Sequence, residues 1–292
     1  AICCATSSGR APIISVAMVS TSCLLRQPRR ASLTCSATAS DEDGGTPTIT
    51  YAWSNGDGDS LGTGASLTLT ASTSSVGDTI TCTATATDAS GGTGSDSASV
   101  TVENSEPEIT GVSISPSSGV KTSTSLTCSA TATDSDGGTP TITYAWTNGD
   151  GDALGTGAAL TLTASTSAPD DTITCTATAT DAEGATDSGT DSVTVENTDP
   201  EITSVEISPG SDVVTSSDLT CSATASDDDG GTPTITYAWS NGDGESLGTG
   251  TTLTLTPTTS SPEDTITCTA TATDAHGGTG SDSDSVTVQN TP

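Results

Sequence analysis

A block of cysteine, tryptophan and cysteine occurs three times along the chain at a constant interval. The middle copy has Cys128, Trp146 and Cys175, and the other copies repeat these residues 93 positions earlier and 93 positions later. Within every copy the two cysteines are 47 residues apart. A repeat of this length fixes the number of domains before any other argument. The chain of 292 residues is therefore predicted to contain three tandem copies of one module.

Apolar and polar residues alternate around these fixed points. In LTCSATAT (126–133), for example, Leu, Cys and Ala alternate with Thr and Ser. This period predicts β-strands with one buried face, and turns rich in glycine and aspartate separate them. A strand order with Cys on the second strand, Trp on the third and Cys on the penultimate one is typical of an immunoglobulin-like sandwich. The predicted fold is all-β, with three immunoglobulin-like antiparallel β-sandwich modules placed end to end.

The predicted domain boundaries follow the repeat. An irregular end covers residues 1–11, and the three modules cover residues 12–104, 105–197 and 198–292. Two linkers, VENSEPEI (102–109) and VENTDPEI (195–202), leave few residues between the last strand of one module and the first strand of the next. We therefore expect limited swing between modules, with the neighbouring modules of a longer chain as the first partners.

Six of the nine cysteines lie at strand positions of the repeat, two in each copy, and no histidine accompanies them. This arrangement predicts disulfides rather than a metal site. Disulfides persist outside the reducing cytosol, so the predicted location is extracellular or at the cell surface. The chain has no Phe, and a small core built mainly of Ala, Val, Ile and Leu needs the additional stability that a disulfide provides. The predicted pairs are Cys35–Cys82, Cys128–Cys175 and Cys221–Cys268.

The formal net charge is −32, from 37 acidic and 5 basic residues. Nucleic acid is excluded as a partner, because phosphate binding depends on Lys and Arg. No apolar run has the length of a membrane span, so direct membrane insertion is not expected. A strongly acidic surface suits solubility or cation binding.

The segments YAWTNGDG (144–151) and TITCTATATDAEG (172–184) resemble polycystic-kidney-disease-type (PKD) domains and related immunoglobulin-like repeats of bacterial surface proteins. The resemblance covers nearly all of residues 33–292. It departs from the family where Asp-Phe would precede the Gly-Asp-Gly turn, and a disulfide is not general in PKD domains. It implies a stalk, spacer or adhesive segment of an exported protein. The matching residues are Tyr51, Trp53, Gly56, Asp57, Gly58 and Asp88, with equivalents Tyr144, Trp146, Gly149, Asp150, Gly151, Asp181, Tyr237, Trp239, Gly242, Asp243, Gly244 and Asp274.

Acidic residues recur in the loop after the second strand, in the loop after the penultimate strand and in the linkers. In an immunoglobulin-like sandwich both loops lie at the end that faces the preceding module. Converging carboxylates there would suit Ca²⁺, which takes six to eight oxygen ligands. The alternative is that these residues form Asx turns, in which Asp bonds its own backbone. No cofactor is required, and calcium is the one candidate, at Asp41, Asp43, Asp88, Glu103, Glu106, Asp134, Asp136, Asp181, Glu196, Asp199, Asp227, Asp229 and Asp274.

No catalytic residue is predicted. The only histidine, His276, belongs to a single copy, and its equivalents are Ser90 and Glu183. The sequence therefore predicts a non-enzymatic structural or adhesive rod segment of a large extracellular or cell-surface protein, with a surface protein or a glycan as a further candidate partner. One alternative is a carbohydrate-binding accessory array of a secreted enzyme. The other is a self-assembling filament or surface-layer subunit.

Overall fold

A computed structural model of the chain describes residues 13–20, 32–42, 44–70 and 72–290. Every regular element in these ranges is a β-strand, which confirms the all-β prediction. The predicted irregular end at residues 1–11 lies outside the described residues.

Each module has seven strands in the same order. The first module contains β1 (Ile13–Ser20), β2 (Ser32–Ser40), β3 (Thr48–Ser54), β4 (Ser60–Thr63), β5 (Ser66–Thr68), β6 (Thr79–Thr87) and β7 (Thr93–Thr101). The second contains β8 (Glu108–Ser115), β9 (Ser125–Thr133), β10 (Thr141–Thr147), β11 (Ala153–Thr156), β12 (Ala159–Thr161), β13 (Thr172–Thr180) and β14 (Thr186–Thr194). The third contains β15 (Glu201–Ser208), β16 (Asp218–Ser226), β17 (Thr234–Ser240), β18 (Ser246–Thr249), β19 (Thr252–Thr254), β20 (Thr265–Thr273) and β21 (Thr279–Thr287).

The strands of each module form two sheets. In the first module the sheets have the orders β1-β2-β5 and β4-β3-β6-β7, and the other two modules repeat these orders. The pairing in the first and third modules is antiparallel throughout. The three sandwich modules predicted from the repeat are therefore present. The pairing of β15 with β16 has a register shift between Ile202 and Ser204, which indicates a β-bulge in β15.

The predicted disulfides are present in all three modules. They join Cys35 to Cys82, Cys128 to Cys175 and Cys221 to Cys268, with Cα–Cα distances of 6.4–6.5 Å. In the first and third modules the two cysteines belong to different sheets, so each bond ties the two layers together.

The tryptophans are core residues. Trp53, Trp146 and Trp239 are at most 1% exposed. The indole N–H of Trp239 donates a hydrogen bond to the carbonyl oxygen of Gly250 at 2.9 Å, and Trp53 makes the equivalent bond to Gly64 at 2.8 Å. These residues therefore cannot serve as exposed platforms for stacking sugars.

The chain divides into two compact units whose boundary crosses the second module. One unit comprises Ala1–Val112, Ala130–Thr143 and Ala177–Gly189, and the other comprises Ser113–Ser129, Tyr144–Thr176 and Thr190–Pro292. The first unit contains the linker 102–109 together with the acidic loops of the second module. The second unit contains the linker 195–202 together with the third module. The predicted domain boundaries stay a prediction.

Candidate functional site

Two loops of the second module meet the linker that precedes it, and we call this contact the first junction. The backbone N–H of Ser105 donates a hydrogen bond to Asp136 Oδ2 at 2.5 Å. The side-chain amide of Asn104 donates to Asp181 Oδ2 at 2.8 Å. Asp136 is 2% exposed and Asp181 is 9% exposed. The structure thus brings both predicted loops to the linker, and their carboxylates accept hydrogen bonds from N–H groups of the linker.

The third module repeats this arrangement at the linker 195–202, which we call the second junction. Asp229 Oδ2 accepts the backbone N–H of Thr198 at 2.5 Å, and Asp274 Oδ2 accepts the side-chain amide of Asn197 at 2.9 Å. The hydroxyl of Thr122, which is 1% exposed, donates to Asp229 Oδ1 at 2.7 Å. One carboxylate of the third module therefore bonds both the linker and a side chain of the second module.

The same loops also contain the Asx turns that formed the alternative interpretation. Asp134 Oδ1 accepts the N–H of Asp136 at 2.8 Å, and Asp227 Oδ1 accepts the N–H of Asp229 at 2.9 Å. In the first module Asp88 Oδ1 accepts the N–H groups of Ser90 and Gly92, each at 2.8 Å. The turn interpretation is thus correct for these acids, and the junction contacts are additional to it.

Polar side-chain atoms at the second junction lie directly against the backbone of Gly278. A Cβ atom added to Gly278 would lie 2.4 Å from Asp274 Oδ2, 2.5 Å from Asp199 Oδ1 and 2.6 Å from Asn197 Nδ2. Two carboxylates and one amide therefore converge on this glycine. The equivalent position at the first junction is Ala185, whose side chain already has a methyl group.

Both junctions also contain a buried oxygen that accepts no hydrogen bond. These atoms are Asn104 Oδ1 and Asn197 Oδ1. Buried polar atoms without a partner are rare in native proteins, so each one needs an explanation such as a water or an ion. Neither asparagine is among the site residues predicted from the sequence, although both linkers carry the same Val-Glu-Asn triplet, at 102–104 and 195–197.

The remaining predicted site residues are more dispersed. Glu103, Glu106, Glu196 and Asp199 are exposed, and Asp43 lies outside the described residues. Glu196 accepts the N–H of Gly119 at 2.9 Å. Across the described ranges, no group of three or more His, Cys, Asp or Glu side chains is placed to hold a metal ion. A cation at a junction would therefore need neutral oxygen ligands as well as carboxylates.

Hydrogen bonding changes the acidity of one carboxylate at each junction. The side-chain amide of Asn104 lowers the pKa of Asp181 below the ordinary value of 3.8, and turn N–H groups lower it further, while desolvation acts in the opposite direction. Asn197 has the same effect on the pKa of Asp274. Both groups are therefore carboxylates at neutral pH, in the form that accepts hydrogen bonds or binds cations.

No protein-family model and no curated protein matches the chain. Similar solved structures include three N-terminal domains of the outer capsid protein Hoc of bacteriophage RB49, at 17% identity over 97% of this chain and 100% of that chain, with a TM-score of 0.31. A tetra-tandem repeat in the extending region of a large adhesion protein is 16% identical over 94% of this chain and 81% of that one, with a TM-score of 0.35.

A further similar structure is a Ca²⁺-stabilized adhesin that helps an Antarctic bacterium reach out and bind ice. It is 17% identical over 96% of this chain and 81% of that chain, with a TM-score of 0.35. At such TM-scores these likenesses carry no argument about function. In the part of the chain that the structure covers, no helix has the length and apolar character needed to cross a membrane.

Proposed function

We propose that the chain is a non-enzymatic structural or adhesive segment of a large extracellular or cell-surface protein, in which each junction fixes one module to the next as part of a rod. The observation that carries this proposal is the bonding of the linker at both junctions by buried or half-buried carboxylates of the following module. A flexible linker would leave its N–H groups to water. Here an aspartate accepts the same linker N–H at Ser105 and at Thr198.

The extracellular location in this proposal is supported by the three disulfides, because such bonds persist in oxidising surroundings. A relation to PKD-type repeats of bacterial exported proteins is also part of the proposal, and it rests on the Trp strand and the Gly-Asp-Gly turn. The charge of −32 keeps such a segment soluble and repels anionic partners. Calcium at the junctions stays a prediction.

Two observations make the alternatives less suitable. A carbohydrate-binding array needs exposed aromatic side chains, whereas the three tryptophans are buried and Tyr51 and Tyr237 pack against the cores of their modules. A filament built by strand addition needs free strand edges. In the third module the N–H of Ile207 on the edge strand β15 donates to Asp284 Oδ2 at 2.9 Å. This backbone donor is therefore already hydrogen-bonded and is not free to pair with an added strand.

Small-angle X-ray scattering of the full chain tests the proposed role of the junctions. Asp136→Ala combined with Asp229→Ala removes the acceptor of the linker N–H at both junctions. We expect these variants to scatter as a broader set of conformations than the parent, while far-UV circular dichroism stays the same. The matched control combines Asp150→Ala with Asp243→Ala, two exposed turn acids, and leaves the scattering curve unchanged. Identical scattering from the junction variant and the parent would refute the proposal.

A further inference from the structure

We propose that the turn after the third strand of each module is a site of covalent self-modification. In this reaction an asparagine side chain is attacked by the next backbone nitrogen and becomes aspartate or isoaspartate without an enzyme. The inference concerns the chemistry of the turns and does not depend on the role proposed for the junctions. The reacting asparagines are Asn55, Asn148 and Asn241.

The asparagines of the chain fall into two sets. Three of the six are followed by glycine, in the turns after β3, β10 and β17. Glycine has no Cβ atom, so its backbone nitrogen can approach a neighbouring side chain in more conformations than that of any other residue. The three Asn-Gly pairs are therefore the candidates. The comparison set, in which serine or threonine follows, consists of Asn104, Asn197 and Asn290.

The first observation is the backbone nitrogen of each turn glycine. Gly56, Gly149 and Gly242 are exposed, and their N–H groups donate to no acceptor among the described residues. Such a nitrogen must lose its proton before it attacks a carbonyl carbon. In the linkers the corresponding nitrogens belong to Ser105 and Thr198, whose N–H groups donate to carboxylates. Deprotonation there would place two negative charges side by side, so the linker asparagines are protected.

The second observation is the polarisation of the side-chain carbonyl group that would be attacked. Asn55 Oδ1 accepts the backbone N–H groups of Asp57 at 3.1 Å and of Asp59 at 2.7 Å. Backbone donors at such distances stabilise the negative charge that develops on the oxygen when a nucleophile adds to the carbonyl carbon. The other two turns keep one of these donors, at 2.8 Å in each case: the N–H of Asp152 to Asn148 Oδ1, and the N–H of Glu245 to Asn241 Oδ1.

The third observation is an acidic side chain that orients the amide. Asn241 Nδ2 donates to Glu245 Oε2 at 3.0 Å, and Asn55 Nδ2 donates to Asp59 Oδ2 at 3.2 Å. An ionised carboxylate only accepts hydrogen bonds, so it keeps the carbonyl oxygen on the side of the backbone N–H groups. After conversion the same positions hold two carboxylates, which repel each other. Each conversion therefore removes a hydrogen bond from the turn and adds a negative charge.

The reaction balances with water as the only co-reactant. Hydroxide takes the proton of the glycine N–H, and the nitrogen then forms a bond to the asparagine Cγ. The Cγ–Nδ2 bond breaks, and the amide nitrogen takes a proton from water and leaves as ammonia, so that a succinimide ring remains. Water then opens the ring at one of its two carbonyl carbons. The products are aspartate and isoaspartate, in which the backbone runs through the former side chain.

Peptide mapping by mass spectrometry, after incubation of the full chain at mildly alkaline pH, tests the assignment. We expect conversion at Asn55, Asn148 and Asn241, and intact amides at Asn104 and Asn197 over the same period. Heavy-oxygen water should label the new carboxyl group, because one of its oxygens comes from the solvent. Anion-exchange chromatography should retain the converted chains longer, because each conversion adds a negative charge.

Gly149→Ala tests the attack by the backbone nitrogen. A Cβ atom added to Gly149 would come no closer than 3.9 Å to any atom beyond its chain neighbours, and this glycine has no positive φ angle, so the variant should fold. Conversion of Asn148 should become slower by about tenfold or more, because the Cβ atom restricts the approach of the nitrogen. Asn55 and Asn241 in the same chain should react at unchanged rates and are the matched control.

Intact amides in all three turns, after an incubation that converts a short Asn-Gly peptide, would overturn the inference. Equal conversion of the turn and linker asparagines would also overturn it, because the hydrogen bonding of the backbone nitrogen would then make no difference. An unchanged rate at Asn148 in Gly149→Ala would contradict the proposed attack.

Discussion

At the scale of single residues, the amide of Asn104 determines the acidity of the junction carboxylate Asp181. Because the pKa of this group is lowered below 3.8 in the folded chain, its contribution to stability is complete at neutral pH. That contribution is lost as the pH falls below 3.8 and through the lower folded value. Asp274 follows the same rule because Asn197 is its partner.

Asn104→Ala is therefore expected to raise the pKa of Asp181 toward 3.8, so that this carboxylate contributes less to stability and its contribution is fully lost at a higher pH. Carboxyl-carbon NMR spectra recorded against pH measure this change directly. Asn148→Ala, in the turn after β10, is the matched control and should leave the titration of Asp181 unaltered. An unchanged midpoint for Asp181 in Asn104→Ala would contradict the assigned cause.

The residues that could be predicted from the sequence differ from those that could not in how strongly their type and spacing indicate a role. Cysteine and tryptophan recur at fixed spacing and are large or reactive, so their positions predict the core and the disulfides. The linker asparagines Asn104 and Asn197 carry no charge. The sequence therefore does not reveal that the side-chain N–H group of each donates a hydrogen bond while the side-chain oxygen accepts none. The close approach of polar side chains to Gly278 depends on one missing methyl group, and the sequence alone does not show which atoms lie there.

At the scale of elements, period-two alternation predicted the strands because each has one face in a core. The alternation could not show how the strands divide between sheets. It also could not show which acids of the last strand accept a backbone N–H of a neighbouring edge strand, since Asp282 and Asp284 are equally polar in the sequence.

Each disulfide closes 47 residues, which is expected to add about 4 kcal/mol to the free energy of unfolding through its effect on the unfolded state. That amount is large for cores in which alanines such as Ala270 and Ala272 are fully buried.

The last strand of the third module gives an element-scale prediction. Asp284 Oδ2 accepts the N–H of Ile207 on β15 at 2.9 Å, whereas exposed Asp282 accepts only the N–H of its neighbour Ser283 at 2.8 Å. Asp284→Ala should therefore lower the free energy of unfolding by about 1–3 kcal/mol, because a backbone donor loses its acceptor. Asp282→Ala removes the same charge and should change stability far less. Urea unfolding monitored by tryptophan fluorescence measures both, and equal losses would contradict the edge role of Asp284.

At the scale of the whole molecule, charge governs how two copies of the chain meet. The net charge of −32 opposes contact between copies at neutral pH, and the sequence pI is about 4.1. A self-assembling filament would need attractions that overcome this repulsion. A segment that acts within one long chain needs only its own covalent continuity and its junction contacts.

We therefore expect sedimentation velocity to show a monomer at pH 7 and low salt over the whole accessible concentration range. Association should increase as the pH approaches 4.1, because protonation of the carboxylates removes the repulsion. Salt at 1 M shortens the Debye length from about 10 Å at 0.1 M to about 3 Å, so it separates charge repulsion from specific contacts. If the chain stays monomeric in 1 M salt at pH 7, it has no attractive surface whose effect is masked by charge repulsion at low salt. Concentration-dependent assemblies at pH 7 and low salt would instead favour the filament and would contradict the structural role proposed for the junctions.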